Sequence, residues 1–246
     1  MGRSGQRIQE FKQFTVRDDA CGMKVGTDAL VLGSWAGALS SQEQASPLRI
    51  LDVGTGSGIL ALMLAQRFPL AVVDALELEP EAAAQAAENA AKSPFSERIR
   101  IHARAAQGWS EPADLVVCNP PFFHGHPKSL DRKRNLARHD DTLPLRSLFA
   151  VVRACLSEGG EFALVFPEDR SSQLCDEAAS HGLCLQAQIG LRATPQHDVI
   201  RSLWSWTNRP NDQVSRQLWD LESPQGGGAW SDEMAARLRP FVKSLP

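Results

Sequence analysis

Four consecutive residues, Asn119-Pro120-Pro121-Phe122, have the types and order to do specific chemistry. They follow an apolar run, residues 114–118, that reads as a buried strand. An amine on an aromatic ring is a poor nucleophile, because its lone pair is delocalised into the ring. The Asn119 side-chain oxygen and the Pro120 carbonyl can each accept one of its N–H bonds, which favours a geometry with the lone pair aimed at an electrophile. The prolines fix the backbone so that both acceptors are already aimed. Phe122 offers a flat face on which a base can stack. The plain alternative is a proline-rich loop ending in a core phenylalanine.

A second motif lies upstream. Leu51-Asp52-Val53-Gly54-Thr55-Gly56-Ser57-Gly58 joins a predicted strand to a predicted helix. Gly54, Gly56 and Gly58 allow a tight turn and let a ligand approach the backbone closely. A dinucleotide turn aims a helix N-terminus at a pyrophosphate and uses a different glycine spacing. S-adenosylmethionine has no phosphate; its amino-acid end needs an acceptor for an ammonium, and Asp52 at the strand end is the expected one, with Thr55 beside it. Glu77 closes the next strand, where a carboxylate can accept both hydroxyls of a ribose. That ribose logic is shared with dinucleotide enzymes, so the nucleotide half alone leaves the two cofactors open. In many methyltransferases the third strand is followed by an aspartate facing the adenine. Here the chain reads Ile101-His102-Ala103-Arg104-Ala105-Ala106, with no carboxylate, which leaves that contact to the backbone or a neighbour.

Positioning these residues requires alternating elements. Residues 48–53, 70–78, 98–102, 114–118 and 161–167 read as strands. Residues 58–68, 80–92, 145–156 and 168–181 read as helices, the third closed by Gly159-Gly160 and the last by Gly182. Such alternation gives parallel βαβ units in a doubly wound sheet. Residues 183–191 and 199–206 form two more strands whose connection is too short for a helical crossover, so they pair antiparallel. The expectation is an α/β fold with a seven-stranded, mostly parallel sheet and a C-terminal antiparallel hairpin. Residues 1–47 form a cap segment and residues 48–207 the ligand-binding domain. Residues 208–246 form a tail, with a flexible linker at Ser223-Pro224-Gln225-Gly226-Gly227-Gly228 and a short helix at 231–238.

Bulk properties narrow the classes. The chain has 246 residues, 43% of them hydrophobic, and a net charge of −3. That suits one well-filled domain, and any nucleic-acid contact must rest on local positive charge. Five cysteines with no C-x-x-C pair read as reduced thiols, not a disulfide framework. His124 and His126 lack further ligands at metal-site spacing, so no metal is expected. No apolar stretch is long enough for a membrane span or a signal segment. The expected protein is cytoplasmic, and a monomer.

Asn119-Pro120-Pro121-Phe122 resembles motif IV of the amino methyltransferases, which act on adenine N6, guanine N2 or protein glutamine. Further blocks resemble one branch: Phe11-Lys12-Gln13-Phe14, Met23-Lys24-Val25-Gly26-Thr27-Asp28, and residues 137–143. By these the chain is similar to the bacterial tRNA1(Val) adenine-N6 methyltransferases. The resemblance implies the class I methyltransferase Rossmann-like fold, S-adenosylmethionine as cofactor, tRNA as partner and the adenosine 3′ to the anticodon as target. It also implies that Lys24, Gly26, Thr27 and Asp28 line the methionine end of the cofactor site, although Asp28 reads equally well as a helix N-cap. The family commonly has tyrosine where this chain has Phe122. Phenylalanine there also resembles guanine-N2 rRNA enzymes.

Directly after the motif, Lys128, Arg132, Lys133, Arg134 and Arg138 stand against a single acid, Asp131. A basic loop beside the site can grip the phosphates flanking a flipped nucleotide, and a solvated charged face is the plain alternative. The rival functions are a guanine-N2 or glutamine methyltransferase and a non-catalytic cofactor- or RNA-binding module.

Overall fold

A computed structural model describes residues 7–38, 47–120, 143–224 and 228–243. Pro121, Phe122 and the basic run from Lys128 to Arg138 lie outside the described residues.

The alternating pattern builds the expected sheet. Its strands are β3 (Arg49–Val53), β4 (Val72–Glu77), β5 (Ile99–Ala103), β6 (Ala113–Cys118), β7 (Leu156–Pro167), β8 (Cys184–Arg192) and β9 (Arg201–Thr207), with an eighth, β10 (Ser215–Asp220). The order is β10-β8-β9-β7-β6-β3-β4-β5. Strand β9 runs antiparallel to both neighbours, and every other pairing is parallel. Residues with near-continuous apolar runs, such as the β6 segment Ala-Asp-Leu-Val-Val-Cys, occupy the middle, where both faces are covered.

Helices α1 (Thr27–Trp35), α2 (Ile59–Arg67), α3 (Pro80–Ala91) and α6 (Asp232–Leu238) supply side chains to the core on one face. Helices α4 (Leu145–Cys155) and α5 (Ser171–Ser180) supply the other, around Phe149, Phe162 and Trp206. Helices α1 and α2 pack closely because Gly33 faces Met63; a Cβ at that position would sit 2.8 Å from the Met63 sulfur.

Two stretches differ from expectation. Strand β10 belongs to the segment expected as tail. Its outer edge faces solvent and only Trp219 is well buried, so its sequence is too polar to read as a strand. The Arg237 guanidinium lies 3.7 Å over the Trp219 ring, which ties α6 to this edge. The glycine pair 159–160 does not close α4. The strand begins at Leu156, and Gly159, at φ +72°, sits within an irregular stretch of β6–β7 pairing. The N-terminal segment forms a small hairpin, β1 (Ile8–Glu10) with β2 (Thr15–Arg17). Phe11 and Phe14 stack at 4.7 Å, and both are buried. The Lys12 amide donates to the Phe241 carbonyl, Lys243 pairs with Glu10, and Phe11 bridges Val242, so the two ends of the chain close on each other.

Arg67 is the main polar group inside this packing. It donates to the carbonyls of Gly33 (2.9 Å) and Ala36 (2.6 Å), which satisfies the C-terminal end of α1. Buried Glu161, which accepts from the Gly37 amide, lies close enough to favour the charged guanidinium. Arg67→Met keeps the apolar stem but strands two carbonyls and removes the positive charge near buried Glu161. The expected loss is about 2–4 kcal/mol in chemical denaturation. A loss under about 0.5 kcal/mol, the size of an ordinary surface substitution, would show that this contact does not hold α1.

Candidate functional site

The site lies at the C-terminal ends of β3, β4, β5 and β6, where open α/β sheets bind ligands. Between β3 and α2 the chain must reverse tightly, and the glycines make that possible: Gly54, Gly56 and Gly58 have φ of +73°, +56° and +82°. The amides of Gly54 and Thr55 donate to the Leu76 carbonyl, and the Gly56 amide donates to Glu77 Oε2 at 2.8 Å. The Glu79 amide holds Glu77 Oε1 at 3.0 Å. The turn is therefore tied to the end of β4, and each Glu77 oxygen keeps a further lone pair.

A cavity of about 740 Å³ opens over this turn. Gly54, Gly56, Glu77, Asn119 and Pro120 all line it. A Cβ on Gly54 or Gly56 would meet nothing within 4 Å, so the glycines leave open space where a ligand backbone can lie. The lining acids are Asp19, Glu77, Glu79 and Glu81, against the bases Lys24 and Arg104. Lys24 is already committed, donating to the carbonyls of Asp18 (2.5 Å) and Cys21 (3.3 Å). An acid-rich cavity suits a sulfonium and an ammonium and disfavours a pyrophosphate. Among the described lining residues the balance therefore favours S-adenosylmethionine over a dinucleotide. The residues present fit S-adenosylmethionine: an open cradle, an acceptor pair for two hydroxyls, and negative charge around a cation. The Asn119 amide is hydrogen-bonded to no described residue, so its oxygen is available at the cavity mouth.

Several expected residues have other places. Asp52 is fully buried and is not among the lining residues; its Oδ2 accepts from the Thr55 hydroxyl at 2.5 Å. Alternation along β3 explains this. Ile50 belongs to the core on the α2 face, Leu51 and Val53 to the opposite core, so Asp52 points under α2. In place of a direct ammonium acceptor, Asp52 and Thr55 brace the turn from behind. Gly26 is the N-cap of α1 and Thr27 its first residue. Asp28 neither caps the helix nor lines the cavity; it pairs with Arg201 at 2.8 Å. Of the N-terminal set, only Lys24 reaches the cavity wall.

The loop from Asp19 to Met23 forms most of that wall. Asn89 Nδ2 donates to the Arg17 and Ser57 carbonyls, both at 2.8 Å, joining the N-terminal hairpin to the glycine turn. Gln85 Oε1 accepts from the Ala20 amide and the Cys21 thiol. Buried Asp18 accepts from the Val25 amide at 2.9 Å. The signal for this wall was Gln85 and Asn89 themselves, two polar residues one helical turn apart among alanines on the inward face of α3. Burial pushes the Cys21 thiol up to about 12, which removes it as a nucleophile although it lines the cavity. Among the described residues no three His, Cys, Asp or Glu side chains cluster as metal ligands, and no helix is long and apolar enough to cross a membrane.

Burial raises the Asp52 carboxyl to about 7; the Glu77 charge adds to the rise and the Thr55 hydroxyl opposes it. The folded protein holds this proton at pH values where the unfolded chain, near 3.8, has released it. Asp52 therefore contributes stability that is full below about pH 4 and lost as pH rises to about 7. Asp52→Asn keeps an acceptor for Thr55 and removes the titration. Between pH 4 and 7 its unfolding free energy should rise relative to wild type. Parallel curves for the two proteins would show that Asp52 is ionised throughout.

The matrix of strands, turn and cavity has relatives. Residues 38–175 match the family model described as the methyltransferase small domain. A tRNA1(Val) (adenine(37)-N6)-methyltransferase from Parabacteroides distasonis is 46% identical over 240 residues, covering 96% of this chain and 98% of that protein. One from Porphyromonas gingivalis is 42% identical over 212 residues, covering 83% and 82%. Among solved structures, a predicted O-methyltransferase from Agrobacterium tumefaciens superposes with a TM-score of 0.62 at 20% identity, covering 87% of this chain and 96% of that one, a likeness of fold. With a glycine turn, a ribose-type carboxylate and an Asn-Pro mouth on one cavity, and with this identity along nearly the whole chain, the protein belongs to the family of the tRNA1(Val) (adenine(37)-N6)-methyltransferases.

Proposed function

We propose that this chain transfers the methyl group of S-adenosylmethionine to the exocyclic N6 of adenosine 37 in tRNA1(Val), acting in the cytoplasm. The observation that carries the reading is the placement of the Asn119 amide, which bonds to no described residue, on the same cavity as the glycine turn and Glu77. Glu77 accepts the ribose hydroxyls while its other lone pairs stay on the Gly56 and Glu79 amides. The cofactor, when bound, supplies an electrophilic methyl on a sulfonium. Asn119 Oδ1 and the Pro120 carbonyl accept the two N–H bonds of the target amine and turn its lone pair toward that methyl. Most of the rate gain is positional, and the surplus proton leaves the amine after transfer, so no lining residue has to act as a base. Phe122 stacks the flipped base, Pro121 stiffens its approach, and Lys128, Arg132, Lys133, Arg134 and Arg138 hold the flanking phosphates.

Methyl transfer from labelled cofactor to tRNA lacking the modification, followed by nucleoside analysis, tests the reaction and the base together. N6-methyladenosine is expected; N2-methylguanosine would move the substrate to a guanine amine. Asn119→Ala should lower kcat by about two to three orders of magnitude while the cofactor Kd stays within about twofold. Full activity in this variant would remove Asn119 from the site.

Replacing the five basic residues by glutamine should raise the KM for tRNA and flatten its dependence on salt, leaving cofactor affinity unchanged. An unchanged salt slope would assign the run to a solvated face.

A further inference from the structure

The cavity continues past Glu77 to the end of β5, where Arg104, Ala105, Ala106 and Gln107 line it. The sheet order fixes which part of the cofactor reaches this end. The methyl must face Asn119, after β6, and the ribose sits on Glu77, at the end of β4; with strands ordered β6-β3-β4-β5, the adenine falls over β5. This is the place where the sequence offers no carboxylate. Ala105 and Ala106 have no polar side-chain atoms. Arg104 lies 5.8 Å from the Trp109 ring centroid and donates to the Ala105 carbonyl at 3.3 Å. Gln107 is different: it lines the cavity, is exposed, and its amide is hydrogen-bonded to no described residue.

Its backbone is well anchored. The Trp109 amide donates to the Ala106 carbonyl at 3.0 Å, closing a tight turn around Gln107 and Gly108, and Gly108 takes the φ of +77° that such a turn requires. Trp109 is buried and packs edge-on to His102 at 4.9 Å, and His102 Nε2 lies 2.7 Å from Asp74 Oδ1. An amide on a braced turn, bonded to no described residue, presents one acceptor and one donor side by side, and the amino edge of adenine presents the complementary pair.

We propose that Gln107 reads the adenine of the cofactor, its Oε1 accepting from the 6-amino group and its Nε2 donating to the neighbouring ring nitrogen. Gln107 thereby determines nucleobase specificity in place of the absent carboxylate. The inference rests on the methyl-transfer reading, because that reading sets the direction in which the cofactor lies.

The test is calorimetric binding to the full chain with two probes, S-adenosylhomocysteine and its analogue in which hydrogen replaces the 6-amino group. A 6-oxo base is a poor probe, since the glutamine amide can rotate and pair with it equally well. Wild type should prefer the amino form by about tenfold, and Gln107→Ala should bring the two affinities within about twofold. Gln107→Glu, which keeps an acceptor for the amino group, should restore the preference. An undiminished preference in Gln107→Ala would show that the backbone reads the base and would overturn the proposal. So would an equal loss for both probes, which would reduce Gln107 to a part of the turn. If wild type binds neither probe, the cofactor reading itself fails and the proposal falls with it, a result distinct from the other two.

Discussion

The contact between the Glu77 carboxylate and the Gly56 amide organises the site. It fastens the turn after β3 to the end of β4, and so fixes the distance between the glycine turn and the Glu77 carboxylate. The turn needs a left-handed backbone at three positions, which costs an ordinary side chain roughly 1–2 kcal/mol each and glycine almost nothing. Because the amide and the carboxylate satisfy each other, neither is left as an uncompensated polar group at a cavity floor. Asp52 and Thr55 complete the arrangement from beneath, where the pleat of β3 directs the carboxyl under α2.

The wall facing this floor comes from outside the βαβ pattern. The loop after β2 is held by side chains of α3 and by its own Lys24 and Asp18, and β1 is held in turn by the C-terminal segment. The sheet thus supplies the reactive positions, the loop after β2 supplies the enclosure, and the C-terminal segment braces β1. Asn89 touches both parts, since one amide group bonds β2 and the glycine turn.

The legible parts of this site were those where local rules decide. A strand followed by glycines and a helix, and a second strand followed by Asn-Pro, fix a position at the C-terminal edge whatever the rest of the chain does. The same rule puts Glu77 at the end of its strand, on the cavity. Asp52 was misjudged because its position along the strand was clear while its side of the sheet was not; a one-residue phase of a strand moves a side chain from cavity to core. Asp28 was misjudged for a different reason. Its partner, Arg201, is remote in sequence, and no local pattern announces such a pair. Strand β10 was missed because a polar edge strand carries little of the apolar signal that marks its neighbours. At the adenine end the chain departs from the usual pattern, and the missing carboxylate leaves a contact that no local motif supplies.

Charge ties these pieces to the chemistry. Among the described residues the cavity is lined by four acids against Lys24 and Arg104, and the Lys24 ammonium is already bonded to backbone carbonyls. Methyl transfer moves one positive charge from the sulfur to the amine nitrogen, a short distance within the same mouth. The acids therefore face nearly constant charge through the transfer, and the attraction that favours the reactants is not withdrawn at the transition state. It falls only when the amine loses its proton, after the new bond has formed. An acid-lined cavity thus binds the charged cofactor more tightly than the neutral thioether left behind, without raising the barrier between them.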